Sequence, residues 1–353
     1  MLQLLKNTKK GWNVKERFPG HFDGPSAWKS DELAADKSWI YHLKENDIQE
    51  IQDAVELVQK RKLKIFEFRK NDFPLEKFSV RLNMIIEQVE NGRGCALIKG
   101  LDPSNYDEDT LKIIYWGLGV HLGVPISQNS KGQLISHVRD RGGNYYSHNV
   151  RGYTTNSRIR PHCDPADTVS LLCVQPAKKG GQSEISSSIS VYNELSQKTP
   201  GLLEPLFNGF HFDLRGEGVT SDPDEVTFNK VPVFSFYDEK MSCRFNAKSI
   251  IEGQAKIGKP LRGIALEAVE EVARLASHDD FRYDLNFSRG DIQILNNHTI
   301  LHARGDFEDY KEPERKRNLL RLWTNLRNGR QLAPEFANRL NTGPRGGVMI
   351  RKS

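Results

Sequence analysis

Cysteine is scarce in this chain, and its cysteines are not paired at short spacing. The 353 residues contain four of them, Cys95, Cys163, Cys173 and Cys243, with no Cys-x-x-Cys motif. A disulfide framework and a structural zinc site both need cysteines at close, regular spacing. The sequence therefore argues against both and predicts four buried thiols.

Long apolar runs and a strong net charge are also missing. No hydrophobic run approaches the roughly eighteen residues of a membrane span. The apolar start Met1–Leu5 is followed at once by lysines, which makes it too short for a secretory signal. The net charge is +5, and the basic residues are scattered along the chain. We therefore expect a cytoplasmic protein with a small-molecule partner and no membrane or nucleic-acid partner, and homo-oligomerisation stays open.

The order of helical and strand-like patterns predicts an α+β fold. Apolar residues at helical spacing predict helices near 48–61, 75–91, 107–122 and 261–277, the first with an N-cap at Asn46-Asp47. Short strands are predicted at 95–100, 209–214, 241–245 and through most of the second half. Many short strands flanked by helices indicate a double-stranded β-helix, or jelly-roll, core.

We expect one structural domain built from three regions. Residues 1–90 form an N-terminal arm and helices packed on the core, residues 91–330 form the jelly-roll core, and residues 331–353 form a C-terminal tail. The polar stretch 132–160 is rich in Gly, Tyr and Asn and is predicted to be a lid, a loop that faces a substrate.

The segment Arg160-Pro161-His162-Cys163-Asp164-Pro165 carries a candidate pair of metal ligands. On an extended backbone, His162 and Asp164 leave the same face, and Cys163 points to the other side. An imidazole and a carboxylate supply two members of the 2-His-1-carboxylate set, which leaves open positions on a non-haem ferrous ion. The third ligand must come from elsewhere in the chain.

The chain contains four His-x-Asp triplets, so the sequence around each one must decide which is the metal-binding pair. The triplet at His21 lies in an irregular Gly/Pro-rich stretch, and that at His278 lies in a polar turn, so neither is expected to be buried. The triplet at His211 lies on a predicted strand and is the serious rival. The other three triplets are His21/Asp23, His211/Asp213 and His278/Asp280.

The stretch from Gly290 to Arg304 offers the third ligand. A Gly-Asp turn starts a strand, an Asn-Asn turn interrupts it, and His302 follows on the next strand. A jelly roll makes neighbours of strands that lie far apart in sequence, so His302 can join the His162 pair. His298 competes for this role, but it lies in the turn itself and is predicted to point outward.

Two arginines near the end of the predicted core form the last motif. Arg317 and Arg321 are four residues apart and so share one strand face, which could be the interior of the barrel. A buried guanidinium needs an anion, and its planar fork matches a carboxylate with two parallel hydrogen bonds. The alternatives are an internal ion pair or an exposed strand end.

Together these motifs resemble the TauD/TfdA-like iron(II)/2-oxoglutarate-dependent dioxygenases of the clavaminate-synthase-like superfamily. The resemblance spans about residues 90–327, with four motifs in register. They are His162-Cys163-Asp164, Gly180-Gly181-Gln182-Ser183, Asn297-x-x-x-Leu301-His302-x-Arg304 and Arg317-x-x-x-Arg321.

The resemblance implies a role for each matching residue. His162, Asp164 and His302 would bind iron(II), with no catalytic residue beyond this metal centre. Ser183 would help to hold the distal carboxylate of the cosubstrate 2-oxoglutarate, and Arg317 would form a salt bridge with it. Arg321 would face the cosubstrate or an anionic substrate group, and the choice between the two arginines stays open. With dioxygen, such an enzyme hydroxylates by default, or desaturates or cyclises, and releases succinate and CO2.

Cationic and polar residues around the His162 motif favour a small substrate that is anionic or amino-acid-like. The candidate substrate-binding residues are His137, Arg139, Tyr145, Arg158 and Arg160. Two other functions stay open. A non-catalytic jelly-roll protein could bind a carboxylate, and a zinc hydrolase could use two His and one Asp, although it would leave an inward-facing arginine unexplained.

Overall fold

The fold is built from short strands that are spread along the whole chain. The structure is a computed structural model and describes residues 18–143, 152–220 and 222–351. The strands are β1 Ile40–His42, β2 Cys95–Lys99, β3 Val124–Pro125, β4 Ile135–Val138, β5 Ile159–His162, β6 Thr168–Gln175, β7 Lys179–Gly180, β8 Ser183–Ser187, β9 Phe234–Tyr237, β10 Lys240–Cys243, β11 Arg282–Leu285, β12 Ile292–Asn296, β13 Ile300–Arg304, β14 Phe307–Glu308 and β15 Asn318–Asn325.

Helices precede the strands and also connect them. The α-helices are α1 Ser30–Ala35, α2 Glu45–Lys60, α3 Phe78–Asn91, α4 Glu108–Leu122, α5 Ser188–Lys198, α6 Leu203–Asn208, α7 Ala247–Lys256, α8 Gly263–Ser277 and α9 Pro334–Ala337. Within the described ranges, none of these helices combines the length and the apolar character needed to cross a bilayer.

Two sheets face each other at the centre of the molecule. In the described residues, the larger sheet has the order β1-β2-β12-β6-β15-β3, with β4 also paired to β15. The smaller sheet has the order β11-β8-β13-β5. A cavity between them is lined by residues of both sheets, among them Leu171 and Arg321 from the larger and Ser183 and His302 from the smaller. This arrangement is the one expected of a jelly roll.

The central strands of the larger sheet are buried on both faces. On β15, Leu320 and Leu322 pack towards the helices, whereas Arg321 and Trp323 line the cavity. This alternation follows from the two-residue period of a strand. The helix side is covered by α2, α3 and α4, whose apolar stripes join the strands in one core. The cavity side is therefore free to carry polar side chains.

A second apolar core supports the smaller sheet. It joins α5, α6 and α8 to the chain between Phe210 and Phe245 and includes Cys163. Because Cys163 is anchored here, its neighbours His162 and Asp164 are directed to the cavity. All four cysteines are free and buried, as predicted.

Two local predictions were wrong. The first long helix begins at Glu45, and Asp47 is not its cap but lies in its first turn, where its carboxylate accepts a hydrogen bond from the Lys44 N–H (2.7 Å). Residues 209–214 do not form a strand, because Phe210 makes only an isolated bridge with Val231 and Asp213 one with Val226. Gly209, with φ of 74°, turns the chain just before this segment.

Helix α7 was not predicted. The side chain of Asn246 caps it by accepting a hydrogen bond from the Ser249 N–H (3.0 Å). Its sequence is interrupted by Gly253, which the fold needs because a Cβ there would lie 2.4 Å from the His211 carbonyl oxygen. The close approach of α7 to residues 211–213 builds one wall of the cavity.

The segment predicted as a C-terminal tail contributes buried side chains, among them Phe336, Leu340 and Val348. Asp167 ties this segment to the core. Its carboxylate accepts hydrogen bonds from His298 Nε2 (3.0 Å), Arg339 Nη2 (3.4 Å) and Arg345. Asp167 and Arg339 are 1% and 2% exposed, so the buried Arg339 cation depends on Asp167 for its counter-charge.

We predict that Asp167→Asn lowers the free energy of unfolding by about 3–5 kcal/mol, because it leaves the buried Arg339 cation uncompensated. Urea unfolding measures the loss. The control is Asp36→Asn, because its partner Arg93 is 28% exposed and such pairs contribute less than about 1 kcal/mol. A loss as small as that of the control would show that Asp167 does not hold the C-terminal segment.

Candidate metal centre

The pairing of two strands brings the predicted histidines together. His302 on β13 lies directly opposite His162 on β5 in the antiparallel register, and their ring centroids are 4.3 Å apart. Strand β5 ends at His162, so Asp164 lies in the connection that follows β5 rather than on the strand itself. A hydrogen bond from its backbone N–H to Asn297 Oδ1 (3.0 Å) fixes that connection.

The three side chains surround a common point. Asp164 Oδ1 lies 3.9 Å from His162 Nε2, and Asp164 Oδ2 lies 3.7 Å from His302 Nε2. These separations are too long for hydrogen bonds. One ligand atom from each residue lies within 4.8 Å of the others. Two imidazoles and one carboxylate around such a gap suit a transition-metal ion.

Neighbouring groups orient the ligand atoms. His162 Nδ1 lies 3.0 Å from the Arg160 carbonyl oxygen, so this nitrogen carries the proton and Nε2 presents its lone pair to the cavity. Trp323 Nε1 donates a hydrogen bond to Asp164 Oδ2 (2.8 Å). Such partners fix ligand orientation and tune the affinity for the metal.

The electrostatics keep His162 and Asp164 in their metal-binding forms. Burial, together with the nearby His302, lowers the pKa of His162 to about 3, so the imidazole is neutral at pH 7. Burial alone would raise the pKa of the Asp164 carboxyl, but Arg321 and the two histidines outweigh it and hold that pKa well below the usual range. A neutral imidazole and an ionised carboxylate are the protonation states that bind metal.

Arg317 is a buried cation without a buried anion. Its side chain is 3% exposed, and its guanidinium makes no ion pair among the described residues. Nη2 donates a long hydrogen bond to the Gly181 carbonyl oxygen (3.4 Å), and Nη1 has no hydrogen-bond partner in the described part of the chain. Burial lowers the pKa of Arg317 to about 10, so it remains charged at neutral pH.

Gly181 makes room for this arginine. Its φ is +72°, in the left-handed region, and a Cβ there would lie 3.1 Å from Arg317 Nε. Ser183, two residues further on, lines the same cavity and donates a hydrogen bond to Gln293 Oε1 (2.8 Å). The Gly-Gly-Gln-Ser motif thus places a hydroxyl and an unpaired guanidinium in one cavity.

Arg321 lies closer to the candidate metal ligands than Arg317 does. Its Nη1 is 3.8 Å from Asp164 Oδ2, and its Nε donates to Gln128 Oε1 (2.7 Å). Its guanidinium carbon lies 4.6 Å from the Tyr153 ring centroid and 4.7 Å from that of Trp323. Arg321 therefore has a partial counter-charge in Asp164, whereas no described carboxylate lies within ion-pair distance of the Arg317 guanidinium.

Of the predicted substrate-binding residues that the structure describes, one lines the cavity and three do not. Arg160 lines the cavity and pairs with Glu270 at its rim. The other described candidates do not line it. His137 contacts Asn318 and Glu108, Arg139 is exposed, and Arg158 pairs with Glu184 (2.6 Å). Tyr145 lies outside the described residues.

The competing histidines have other partners. His211 Nδ1 lies 2.7 Å from the Thr227 carbonyl oxygen, away from the three-residue cluster. The side chains of His21 and His278 are 63% and 50% exposed, as expected. The prediction that His298 points outward was wrong. This side chain is 1% exposed and bonds Asp167, because the turn that carries it folds back into the core.

Several residues that line the cavity were not predicted. Tyr153 and Trp323 enclose Arg321, and Arg215, Arg244 and Lys248 come from the wall formed by residues 212–217 and 244–249. One signal for Arg244 was present in the sequence. It is the one charged residue in Met241–Phe245, a segment that was predicted to be a strand.

The residues present fit an iron(II) ion and a dicarboxylate cosubstrate. His162, Asp164 and His302 each offer one ligand atom, and together these atoms can hold a metal ion. The unpartnered Nη1 of the buried Arg317 needs an anion. Both features line the same cavity.

Comparison with known proteins agrees with this chemistry. Residues 58–323 match the model of the family described as "Taurine catabolism dioxygenase TauD, TfdA family". The chain is 31% identical over 315 residues to FR-33289 synthase of Streptomyces rubellomurinus, which covers 87% of this chain and 91% of that protein.

Solved structures share the fold. An asparagine oxygenase in complex with Fe(II), 2S,3S-3-hydroxyasparagine and succinate aligns with a TM-score of 0.64 at 14% identity, covering 81% of this chain and 93% of the other. The non-haem iron oxygenase OrfP, in complex with iron, succinate and (3S)-hydroxy-L-Arg, aligns with a TM-score of 0.57 at 13% identity, covering 81% and 94%. The predicted jelly-roll fold is confirmed.

We predict that Trp323→Phe weakens the binding of a divalent metal by about 10-fold or more, because Asp164 loses the donor that orients it. Equilibrium dialysis with ferrous iron under anaerobic conditions measures the change. The control is Trp116→Phe, which removes a comparable hydrogen bond, from Nε1 to the Phe68 carbonyl oxygen (3.1 Å), in the helix layer. Equal metal affinity in the two variants would contradict a role for Trp323 at the site.

Proposed function

The chain belongs to the taurine catabolism dioxygenase TauD, TfdA family, and on this premise we propose that it oxidises a small anionic or amino-acid-like substrate, by default through hydroxylation. It is an iron(II)- and 2-oxoglutarate-dependent dioxygenase. The bound iron and cosubstrate supply oxygen activation, in which 2-oxoglutarate and dioxygen become succinate, CO2 and one oxygen atom for the substrate. The protein supplies the ligands, the orientation and the enclosure.

In this proposal His162, Asp164 and His302 hold the iron. The register of β5 and β13 places the two imidazoles side by side, and the hydrogen bond from Trp323 orients the carboxylate. Three protein ligands leave the remaining positions for the cosubstrate and dioxygen. Neutral imidazoles and one carboxylate leave a net positive charge on a bound ferrous ion, which suits an anionic cosubstrate.

Arg317 and Ser183 hold the distal carboxylate of 2-oxoglutarate. The observation that carries this assignment is the unpaired, 3% exposed guanidinium of Arg317 in the same cavity as the three candidate ligands. Arg321 is the weaker candidate because its charge already has Asp164 at 3.8 Å. In this scheme Arg321 keeps Asp164 ionised, while Tyr153 and Trp323 limit the access of water to it.

The cavity favours an anionic substrate. Seven basic side chains line it in the described residues against three carboxylates, so its net charge before ligands bind is positive. Two structural neighbours, the asparagine oxygenase and OrfP, are described with hydroxylated amino acids. Both facts support a small amino acid or related anion.

We predict that the metal-free protein, titrated anaerobically with ferrous iron and 2-oxoglutarate, gives the weak visible charge-transfer band of the chelate. His162→Ala abolishes the band. Arg317→Gln weakens 2-oxoglutarate binding by about 10-fold to 100-fold, the loss expected for about 1.5–3 kcal/mol from a charged hydrogen bond.

The control for this titration is Arg330→Gln. Arg330 is equally buried, but it is paired with Glu90 (2.9 Å) and does not line the cavity. We therefore expect the Arg330→Gln variant to be less stable than the wild type but to bind 2-oxoglutarate with the same affinity. A folded wild-type protein that forms no band would contradict the proposed function. A band with unchanged affinity in Arg317→Gln would reassign only the carboxylate contact.

We also predict that small amino acids and sulfonates stimulate succinate release from 2-oxoglutarate, whereas analogues with the carboxylate or sulfonate converted to an amide or ester do not. The positive cavity stabilises the anionic group and disfavours its uncharged counterpart. Succinate quantification with matched pairs of compounds measures this preference. Equal stimulation by the amide or ester member of each pair would contradict recognition of an anionic group.

A further inference from the structure

Arg244 occupies a fixed position beside the candidate metal ligands. Its backbone N–H donates to the Val233 carbonyl oxygen (2.8 Å), and the next carbonyl, of Phe245, accepts a hydrogen bond from the Cys163 N–H (2.7 Å). Asn246 forms a bridge with His162. The backbone on both sides of Arg244 is therefore anchored, and its side chain lines the cavity.

The guanidinium of Arg244 is buried and unpaired. The residue is 7% exposed, and it forms no ion pair with any described carboxylate. Nη1 is buried without a hydrogen-bond partner in the described ranges. Its guanidinium carbon lies 5.3 Å from the ring centroid of Phe212. Burial, with a further contribution from Arg339, lowers its pKa to about 9, so it still carries its charge at neutral pH.

Two buried arginines outside the cavity, in contrast, have carboxylate partners. Arg330 Nε donates to Glu90 Oε1 (2.9 Å), and its two terminal nitrogens donate to backbone carbonyls. Arg339 meets Asp167 at 3.4 Å. A buried cation without such compensation destabilises a fold. Among the described residues, no carboxylate lies within ion-pair distance of Arg244 or Arg317, and both arginines line the same cavity.

We propose that Arg244 binds an oxyanion group of the organic substrate, separately from the carboxylate of 2-oxoglutarate. The inference rests on the proposed function, in which Arg317 is already assigned to the cosubstrate. The buried guanidinium of Arg244 then remains available for a second anion. The planar fork of an arginine matches the paired oxygens of a carboxylate, a sulfonate or a phosphonate.

A second cation strengthens this wall of the cavity. Arg215 also lines it, and the Nε of Arg215 has no hydrogen-bond partner in the described part of the chain. Arg215 is close enough to contribute to the electrostatics of Arg244, as Asp164 is. Two guanidiniums at one wall suit an anion with several oxygens, and they would hold the neighbouring carbon of the substrate towards the three candidate metal ligands.

The test uses protein loaded anaerobically with ferrous iron and saturating 2-oxoglutarate, so that the cosubstrate already occupies Arg317. Acetate, methanesulfonate and methylphosphonate are titrated separately by calorimetry, and the chelate band is recorded in the same samples. We expect at least one probe to bind the wild type, with affinity at least about 10-fold lower in Arg244→Gln and intermediate in Arg244→Lys. The probe that binds most tightly identifies the oxyanion.

The matched control is Arg274→Gln. It makes the same change of charge at an exposed arginine that pairs with Glu271 on the surface of α8, and it should bind the probe as the wild type does. Equal probe affinity in Arg244→Gln, or no binding of any probe to the wild type, would overturn the inference. A band weakened in Arg244→Gln would also overturn it by placing Arg244 at the cosubstrate. Absence of the band in the wild type would refute the proposed function instead.

Thermal unfolding of the ligand-free protein gives an independent readout. Because Arg244 is a buried cation with no ion-pair partner among the described residues, Arg244→Met should raise the unfolding temperature. Arg330→Met, which strands the carboxylate of Glu90, should lower it. A fall in both variants would show that Arg244 serves the fold rather than a ligand.

Discussion

The antiparallel pairing of β5 with β13 is the constraint on which the candidate site depends. It fixes His162 opposite His302 and so brings the two imidazoles together, although they lie far apart in the sequence. The core that holds Cys163 on one side directs the flanking His162 and Asp164 to the other. The candidate site is thus a consequence of strand register, and a slip of β5 by one residue would turn His162 away from the cavity.

Charge is distributed by a simple rule in this molecule. Buried arginines that serve the fold meet carboxylates, as Arg330 does with Glu90 and Arg339 with Asp167. Arg317 and Arg244, which line the cavity, lack such partners among the described residues. An enzyme that must bind two anions needs positive charge that its own acids do not neutralise. In the proposed roles, the bound anions would offset the free-energy cost of burying these two cations.

Much of the site followed from the sequence because its motifs depend on local geometry. The spacing of His162 and Asp164, the Gly-Gly-Gln-Ser turn and the strand face shared by Arg317 and Arg321 are properties of a few adjacent residues. The jelly-roll fold and the family followed from the order of those motifs. Residues 209–214 were misassigned because an apolar run does not reveal whether a partner strand exists. His298 was misassigned because its burial depends on Asp167, far away in sequence. The role proposed for Arg244 depends on the absence of a counter-charge, which no linear pattern displays.

The most direct measurement is a crystal structure of the anaerobic complex with iron(II) and 2-oxoglutarate, with anomalous data collected at the iron edge. The proposed roles predict one iron peak within bonding distance of His162 Nε2, Asp164 and His302 Nε2, with the distal carboxylate of 2-oxoglutarate on Arg317 and the Arg244 wall left free. An iron peak away from these three side chains, or the carboxylate bound at Arg244, would contradict them.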